Sequence, residues 1–163
     1  MGPTMDDNTK QAAQEYLAGK LTEDERIYEA QQNRAIAVAR GLQVWKSFRD
    51  SIMEKCREWN TITQEETLSC KETPLGDLRI WCAARSKQMI VHYDSQKLLI
   101  VIKNAGRLEH EKDVILFIRG YRKSFDREDR EVRLERNDEP INPDMLIVGE
   151  LRVLTGMSRQ KTP

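Results

Sequence analysis

Residues 97–119 contain two apolar runs, Lys97-Leu-Leu-Ile-Val-Ile-Lys103 and Asp113-Val-Ile-Leu-Phe-Ile-Arg119, which decide the fold of this chain. Each run is short, rich in β-branched side chains and closed by charged residues. Because successive side chains of a strand point to opposite sides of a sheet, the runs predict strands that are apolar on both faces. Such strands need cover on both faces, and the sequence offers one helix before the sheet and one after it.

The helix before the sheet is predicted over residues 22–60, where no proline interrupts a helical pattern. Thr22 and Glu25 form a capping box at its start. Gly41 favours a kink or a break within it. The helix carries an apolar stripe at steps of three and four, formed by Val38, Leu42, Trp45, Phe48, Ile52, Cys56 and Trp59. Residues 1–21 are interpreted as a flexible lead followed by a short helix that ends at Gly19.

Residues 61–156 are predicted to form an antiparallel sheet of about five or six strands and a C-terminal capping helix, in one globular domain with residues 38–60. A two-residue connection at Ser95 and Gln96 predicts a hairpin in which Asp94 faces Lys97. Asn142 caps the last helix and Gly156 ends it, which leaves 157–163 as a tail. The fold class is therefore α+β. A pleckstrin-homology-like barrel is a variant, because its strands are also followed by one helix.

The composition restricts the classes of function. The chain has 163 residues, and 27 bases balance 27 acids, so no net field attracts nucleic acid or an anionic membrane. No apolar run is long enough to span a bilayer, and the polar N-terminus does not resemble a signal peptide. The three cysteines, an odd number, point to free thiols in a reducing compartment. We therefore expect a cytoplasmic protein without a cofactor.

Candidate binding residues lie on the predicted strands. His92 and Asp94 alternate on one strand face and are interpreted either as a poised acid–base pair or as structural side chains. Trp81 faces away from the buried residues of its strand, so either the C-terminal helix covers it or it belongs to an interface. The six candidates are Arg79, Trp81, His92, Asp94, Tyr121 and Arg122. No His or Cys spacing predicts a metal site.

The segment 119–136 interleaves bases with Tyr121 and Phe125, a pattern that occurs in nucleic-acid binders. Four acids between Asp126 and Glu131 favour a salt-bridged edge hairpin instead. Nearer the N-terminus, the run Tyr16-Leu-Ala-Gly-Lys-Leu-Thr-Glu-Asp-Glu25 resembles the Tyr-Leu-x-Gly-x-Leu-Ser/Thr-x-x-Glu run of bacterial anti-sigma-factor zinc domains. The resemblance covers about ten residues and lacks the His and Cys ligands of those domains, so it implies no zinc site here.

The sequence favours a non-enzymatic protein-interaction or regulatory module that self-associates as a homodimer. The N-terminal helical arm carries too many apolar side chains to stay in water, so either its first helix folds back or the arm packs on a second copy or another protein. The alternative is a small-ligand or lipid-headgroup binder with a pocket between sheet and helix. An enzyme is the third hypothesis, since no catalytic set is visible.

Overall fold

The computed structural model describes residues 6–157 and all of their side chains except that of Leu21. The helices and strands are α1 (Asp7–Thr63), β1 (Leu68–Glu72), β2 (Leu78–Cys82), β3 (Lys87–Asp94), β4 (Leu99–Asn104), β5 (Val114–Arg122), β6 (Arg130–Arg136), β7 (Glu139–Pro140) and α2 (Pro143–Thr155), with a 3-10 turn at Ala83–Arg85. The predicted α+β class, with one long helix, an antiparallel sheet and a C-terminal helix, is confirmed. The described sheet has seven strands rather than five or six.

Helix α1 is continuous over 57 residues, a rod of about 85 Å. The predicted helix end at Gly19 and the predicted cap at Thr22 are wrong. The helix begins after Asp6, whose carboxylate accepts a hydrogen bond from the Asn8 amide, and the Thr22 hydroxyl donates to the Ala18 carbonyl as in a helix interior. A glycine costs only about 1 kcal/mol in a helix, and the good helix formers around Gly19 offset that cost.

The sheet is an open meander in which each strand pairs with its sequence neighbours in the order β1 to β7. Among the described residues β1 does not pair with β7, so the barrel variant is wrong. At the β1 edge, the Asn60 side-chain amide hydrogen-bonds both the N–H and the C=O of Leu68, at 3.0 and 2.8 Å. This contact satisfies backbone groups that an edge strand otherwise leaves free.

The β3–β4 hairpin forms as predicted but in a different register. Asp94 faces Leu99 rather than Lys97, because the Asp94 carboxylate accepts the N–H groups of Gln96 and Lys97 at 3.0 Å and stabilises a four-residue turn. Leu98 in that turn has a φ of 54°. A shift of two residues keeps every side chain on its own face of the sheet.

Both helices lie on the same face of the sheet. Trp45 of α1 stacks on Tyr93 at 5.9 Å between ring centroids, and Asn104, on the same face, donates to the Glu150 carbonyl of α2 at 2.9 Å. The buried core forms between this face and the two helices. The expectation that the helices cover the two faces is therefore wrong, because α2 returns to the face that α1 already covers.

The apolar stripe of α1 is buried in its C-terminal part only. Trp45, together with Phe48, Ile52 and Cys56, is buried, but Val38 and Leu42 are 60% and 54% exposed. Ala37 and Gly41 face the sheet in their place, and a Cβ at position 41 would lie 2.8 Å from the Tyr93 hydroxyl. Because α1 lies close to the sheet at these positions, only small side chains fit there. A pattern based on large apolar residues does not identify them.

Candidate interaction surfaces

The open face of the sheet is the side that neither helix covers. Its side chains alternate along the strands with the core side chains and, apart from Glu135, are half-buried or exposed. The open face comprises Ser69, Lys71, Arg79, Trp81, Gln88, Ile90, His92, Asp94, Leu99, Val101, Lys103, Ile115, Phe117, Arg119, Tyr121, Glu131 and Arg133, together with the buried Glu135. Aliphatic side chains from β3, β4 and β5 form its centre, where Ile115 is 43% exposed.

Five of the six candidate residues share the open face: Arg79, Trp81, His92, Asp94 and Tyr121. Arg122 points to the helix side instead, where its guanidinium lies 3.8 Å from the Glu29 carboxylate. Trp81 is half-buried on the open face, with the Arg79 guanidinium 5.8 Å from its ring centroid. Neither helix covers Trp81, which leaves the interface reading of this residue as a proposal.

His92 pairs with Asp77 and not with Asp94. The His92 Nδ1 and Asp77 Oδ1 atoms are 2.6 Å apart, and the His92 side chain is about half exposed. The Asp94 carboxylate is bound to its own turn, and the backbone hydrogen bond from Lys97 is the largest cause that lowers its pKa. The structure therefore separates the two side chains that alternation had placed in one pair.

A row of bases crosses four strands of the open face. Lys71 lies opposite Arg79, Arg79 opposite Ile90, and Ile90 opposite Lys103. Within residues 6–157 none of these three bases has a carboxylate within 4.0 Å. Like charges directly opposite each other destabilise a sheet. Lys71 and Lys103 were missed from the sequence because only the register shows that they share a row with Arg79.

The β5–β6 part of the open face is internally paired. The Arg119 guanidinium lies 4.7 Å from the Phe117 ring centroid, and the Arg133 guanidinium lies 4.4 Å from the Tyr121 ring centroid. The Glu135 carboxylate binds both arginines, at 3.3 and 2.8 Å. These charges are satisfied within the chain, unlike those of the basic row.

The β5–β6 hairpin binds α1 across its tip. The Arg130 guanidinium contacts both Glu29 carboxylate oxygens, at 2.7 and 3.0 Å, and the Asn33 side-chain oxygen at 2.6 Å. Arg127 reaches Glu25 at 3.3 Å. The hydrogen bond from Arg130 is the main cause that lowers the pKa of Glu29. The segment that carries bases and aromatics in the sequence is therefore a salt-bridged hairpin that holds α1.

The arm, defined as residues 7–24, extends α1 beyond the hairpin. Every arm side chain that the structure describes is exposed. Tyr16 and Leu17 are 70% and 56% exposed, and Ile27, just after the arm, is 46% exposed. Eleven residues make about three helical turns, so Tyr16 and Ile27 lie on one side of α1. The arm thus presents apolar side chains that the rest of the described chain leaves uncovered.

A cavity of about 610 Å³ lies between α1, β6 and the start of α2. Its apolar lining includes Val44, Phe48 and Leu134. Arg40 and Ser47 of α1 stand among its polar lining residues. The volume falls within the range of small-molecule sites, which span about 300–1,000 Å³.

The buried charges form a closed pair. Arg107 and Glu150 are each about nine-tenths buried and make two hydrogen bonds, one of them 3.0 Å long. Burial is the largest influence on Glu150 and raises its pKa, although Arg107 acts in the opposite direction. In residues 6–157 no buried side-chain nitrogen or oxygen lacks a partner. Each charge of the pair is therefore satisfied by the other within the protein interior.

The cysteines are free thiols: Cys56 and Cys82 are buried and Cys70 is partly buried. The neighbouring Cys70 thiol, followed by burial, raises the pKa of the Cys56 thiol. No group of three or more His, Cys, Asp or Glu side chains in the described residues converges as a metal site. Neither α1 nor α2, over residues 6–157, contains the apolar stretch that crossing a bilayer requires.

Comparison with known proteins gives no match: no protein-family model, no curated protein and no solved structure is similar to this chain at a significant level.

Proposed function

We propose that this protein is a non-enzymatic interaction module that self-associates as a homodimer through its N-terminal arm. The observation that carries the proposal is the continuity of α1 through Gly19, which leaves Tyr16 and Leu17 in water. The sequence offered two ways to cover these side chains. In the first, the start of the chain folds back, and a continuous helix does not allow this. In the second, another molecule covers the side chains.

The energetics support the same conclusion. Burying a large apolar side chain contributes about 1.5–3 kcal/mol relative to leaving it exposed. A helix of 18 residues without packing is only marginally stable in water. A partner that covers Tyr16 and Leu17 stabilises both the side chains and the helix that carries them. A closed two-fold dimer provides that cover for both copies by making the same contact twice.

Sedimentation velocity of the full chain at tens of micromolar tests this proposal. We expect a dimer, and we expect the Tyr16→Ser, Leu17→Ser double variant to sediment as a monomer that still unfolds cooperatively in circular dichroism. The matched control is Leu75→Ser with Leu108→Ser, two loop leucines that are 90% and 62% exposed. This control should remain a dimer. A wild-type protein that sediments as a monomer would contradict the proposal.

The cavity between α1 and β6 favours a second candidate function, the binding of a small amphipathic ligand. Its apolar floor and its polar α1 residues match the general composition of ligand sites. Native mass spectrometry of the purified full chain tests this candidate. A stoichiometric mass increment that disappears in a Val44→Trp variant would support it, and an unmodified mass at every concentration would argue against it.

A further inference from the structure

We infer that the arm of one copy docks on the open face of the sheet of a second copy. The inference rests on the proposed self-association and names the surface that the arm binds. Two unpartnered surfaces remain on this chain: an exposed helical arm with apolar side chains, and a sheet face with an aliphatic centre. Sheets with apolar residues on both faces are usually covered on both.

The charges of the two surfaces are complementary. The arm holds four acids and two bases, a net charge of −2. The β1–β4 part of the open face carries the row of Lys71, Arg79 and Lys103, which has no carboxylate partner in residues 6–157. Glu23 and Asp24 lie about two helical turns from Tyr16 and Leu17. An arm on this face therefore brings its carboxylates to unpaired bases while its apolar side chains cover the aliphatic centre.

Pairing of two arms with each other lacks this complementarity. Two arms side by side would bring two net negative charges together, which costs free energy at low ionic strength. The row of bases would also stay unpaired. The cross-strand repulsion between Lys71 and Arg79 is a local cost that the chain alone does not offset. An acidic helix laid across the row would offset it.

The docked arm must come from another molecule. Helix α1 packs on the helix-covered face of its own sheet and continues without a break into the arm. A continuous helix cannot turn around the sheet edge to reach the opposite face. If the exchange is reciprocal, two identical contacts share one two-fold axis. Stable protein interfaces bury about 1,600 Å² in total, and two reciprocal contacts contribute to that area twice.

Charge reversal in the full chain tests the docking surface. The face variant is Lys71→Glu, Arg79→Glu, Lys103→Glu, and the arm variant is Glu23→Lys, Asp24→Lys. We expect each to raise the dimer dissociation constant at least tenfold in sedimentation equilibrium, and we expect their combination in one chain to restore most of the affinity. Higher salt should weaken the wild-type dimer.

The matched control reverses three exposed bases elsewhere, with Lys46→Glu, Arg57→Glu and Lys112→Glu, and should leave the dissociation constant unchanged. Circular-dichroism melting confirms that each variant folds. Carbodiimide cross-linking of mixed ¹⁴N and ¹⁵N wild-type protein gives a readout without substitution. It should join Lys71 or Lys103 of one isotope to Glu23 or Asp24 of the other.

The outcomes separate the inference from the proposed function. A face variant that stays a dimer, while Tyr16→Ser with Leu17→Ser gives a monomer, would overturn the docking surface and keep self-association through the arm. Intermolecular cross-links confined to pairs of arms would overturn it in the same way. A monomeric wild-type chain would overturn both.

Discussion

Gly120 illustrates packing at the scale of a single residue. It is buried in β5, and a Cβ at this position would overlap the Asn33 carbonyl oxygen and the Ile36 side chain of α1. We expect Gly120→Ala to destabilise the fold by about 1–3 kcal/mol, because the helix must move away from the strand. Gly149→Ala is the control, since nothing lies within 4 Å of its Cβ and it should stabilise α2 by about 0.5–1 kcal/mol. Urea denaturation measures both, and equal effects would contradict this packing.

Trp45 is the largest buried side chain of α1, at 4% exposure. We expect Trp45→Ala to cost about 3–5 kcal/mol, because the variant loses the ring's apolar burial and leaves a cavity. Lys46→Ala, at an exposed position on the same helix, is the control and should change stability little. A loss below about 1 kcal/mol in denaturant titration would show that α1 does not pack on the sheet.

The Arg107–Glu150 pair predicts a pH effect. Arg107→Met leaves the Glu150 carboxylate buried without its cation, which should cost about 3–5 kcal/mol at neutral pH. Loss of the cation raises the pKa of Glu150 further above its ordinary value of 4.5. A carboxyl whose pKa is higher in the folded state favours folding at low pH and loses that contribution as pH rises through the folded pKa. The variant should therefore recover stability, relative to wild type, as pH falls from 7 toward 4.5.

Denaturant titrations of wild type and Arg107→Met at several pH values provide the measurement. The Arg107→Met, Glu150→Gln double variant is the control, because it has no carboxyl to titrate at this position. A stability difference from wild type that stays constant with pH in Arg107→Met would contradict the assignment.

At the scale of elements, the β5–β6 hairpin fixes the N-terminal half of α1 to the sheet. We expect Arg130→Met to release residues 25–36, because both Glu29 and Asn33 lose their main partner. Amide hydrogen exchange should rise in that segment and stay unchanged in α2. Arg136→Met, an exposed arginine at the end of β6, is the control.

The same contact depends on pH in wild type. Arg130 lowers the pKa of Glu29 below its ordinary value of 4.5. The contribution of this pair to stability is therefore present above pH 4.5 and is lost as pH falls through the pKa of Glu29 in the folded state. Exchange in residues 25–36 should therefore rise selectively under acid conditions. Uniform protection of α1 in both experiments would show that the hairpin does not hold the helix.

At the scale of the whole molecule, α1 serves two purposes along one rod. Its C-terminal part supplies Trp45, Phe48, Ile52 and Cys56 to the core, whereas the described side chains of its first 18 residues are all exposed. We expect residues 25–163 to fold cooperatively as a monomer. Residues 64–163, which lack the helix, should remain unfolded or aggregate because the sheet loses its main cover. Circular dichroism and light scattering measure both truncations, and a stable 64–163 fragment would contradict this division.

The sequence by itself determined the features that local chemistry controls. Asn142, Pro143 and Gly156 bound α2 as predicted, because capping depends on neighbouring side chains and on backbone preference. The turn at residues 73–77 and the faces of β3 and β4 also follow from local residue preference and from alternation. Alternation alone placed Arg79 with Trp81, and His92 with Asp94, on one face of each strand, and a register shift of two leaves such assignments unchanged.

Only the tertiary structure decided which surfaces meet. The Asp94 turn set the hairpin register, and the close approach of α1 to the sheet placed Ala37 and Gly41 against the sheet in place of the expected Val38 and Leu42. Asp77, in a loop, contacts His92. Lys71, Arg79 and Lys103 lie in one row across four strands. These outcomes depend on contacts between residues that are distant in the chain, and packing rather than local preference selects among them. The most important of these outcomes is that both helices pack on one face of the sheet and leave the other face open.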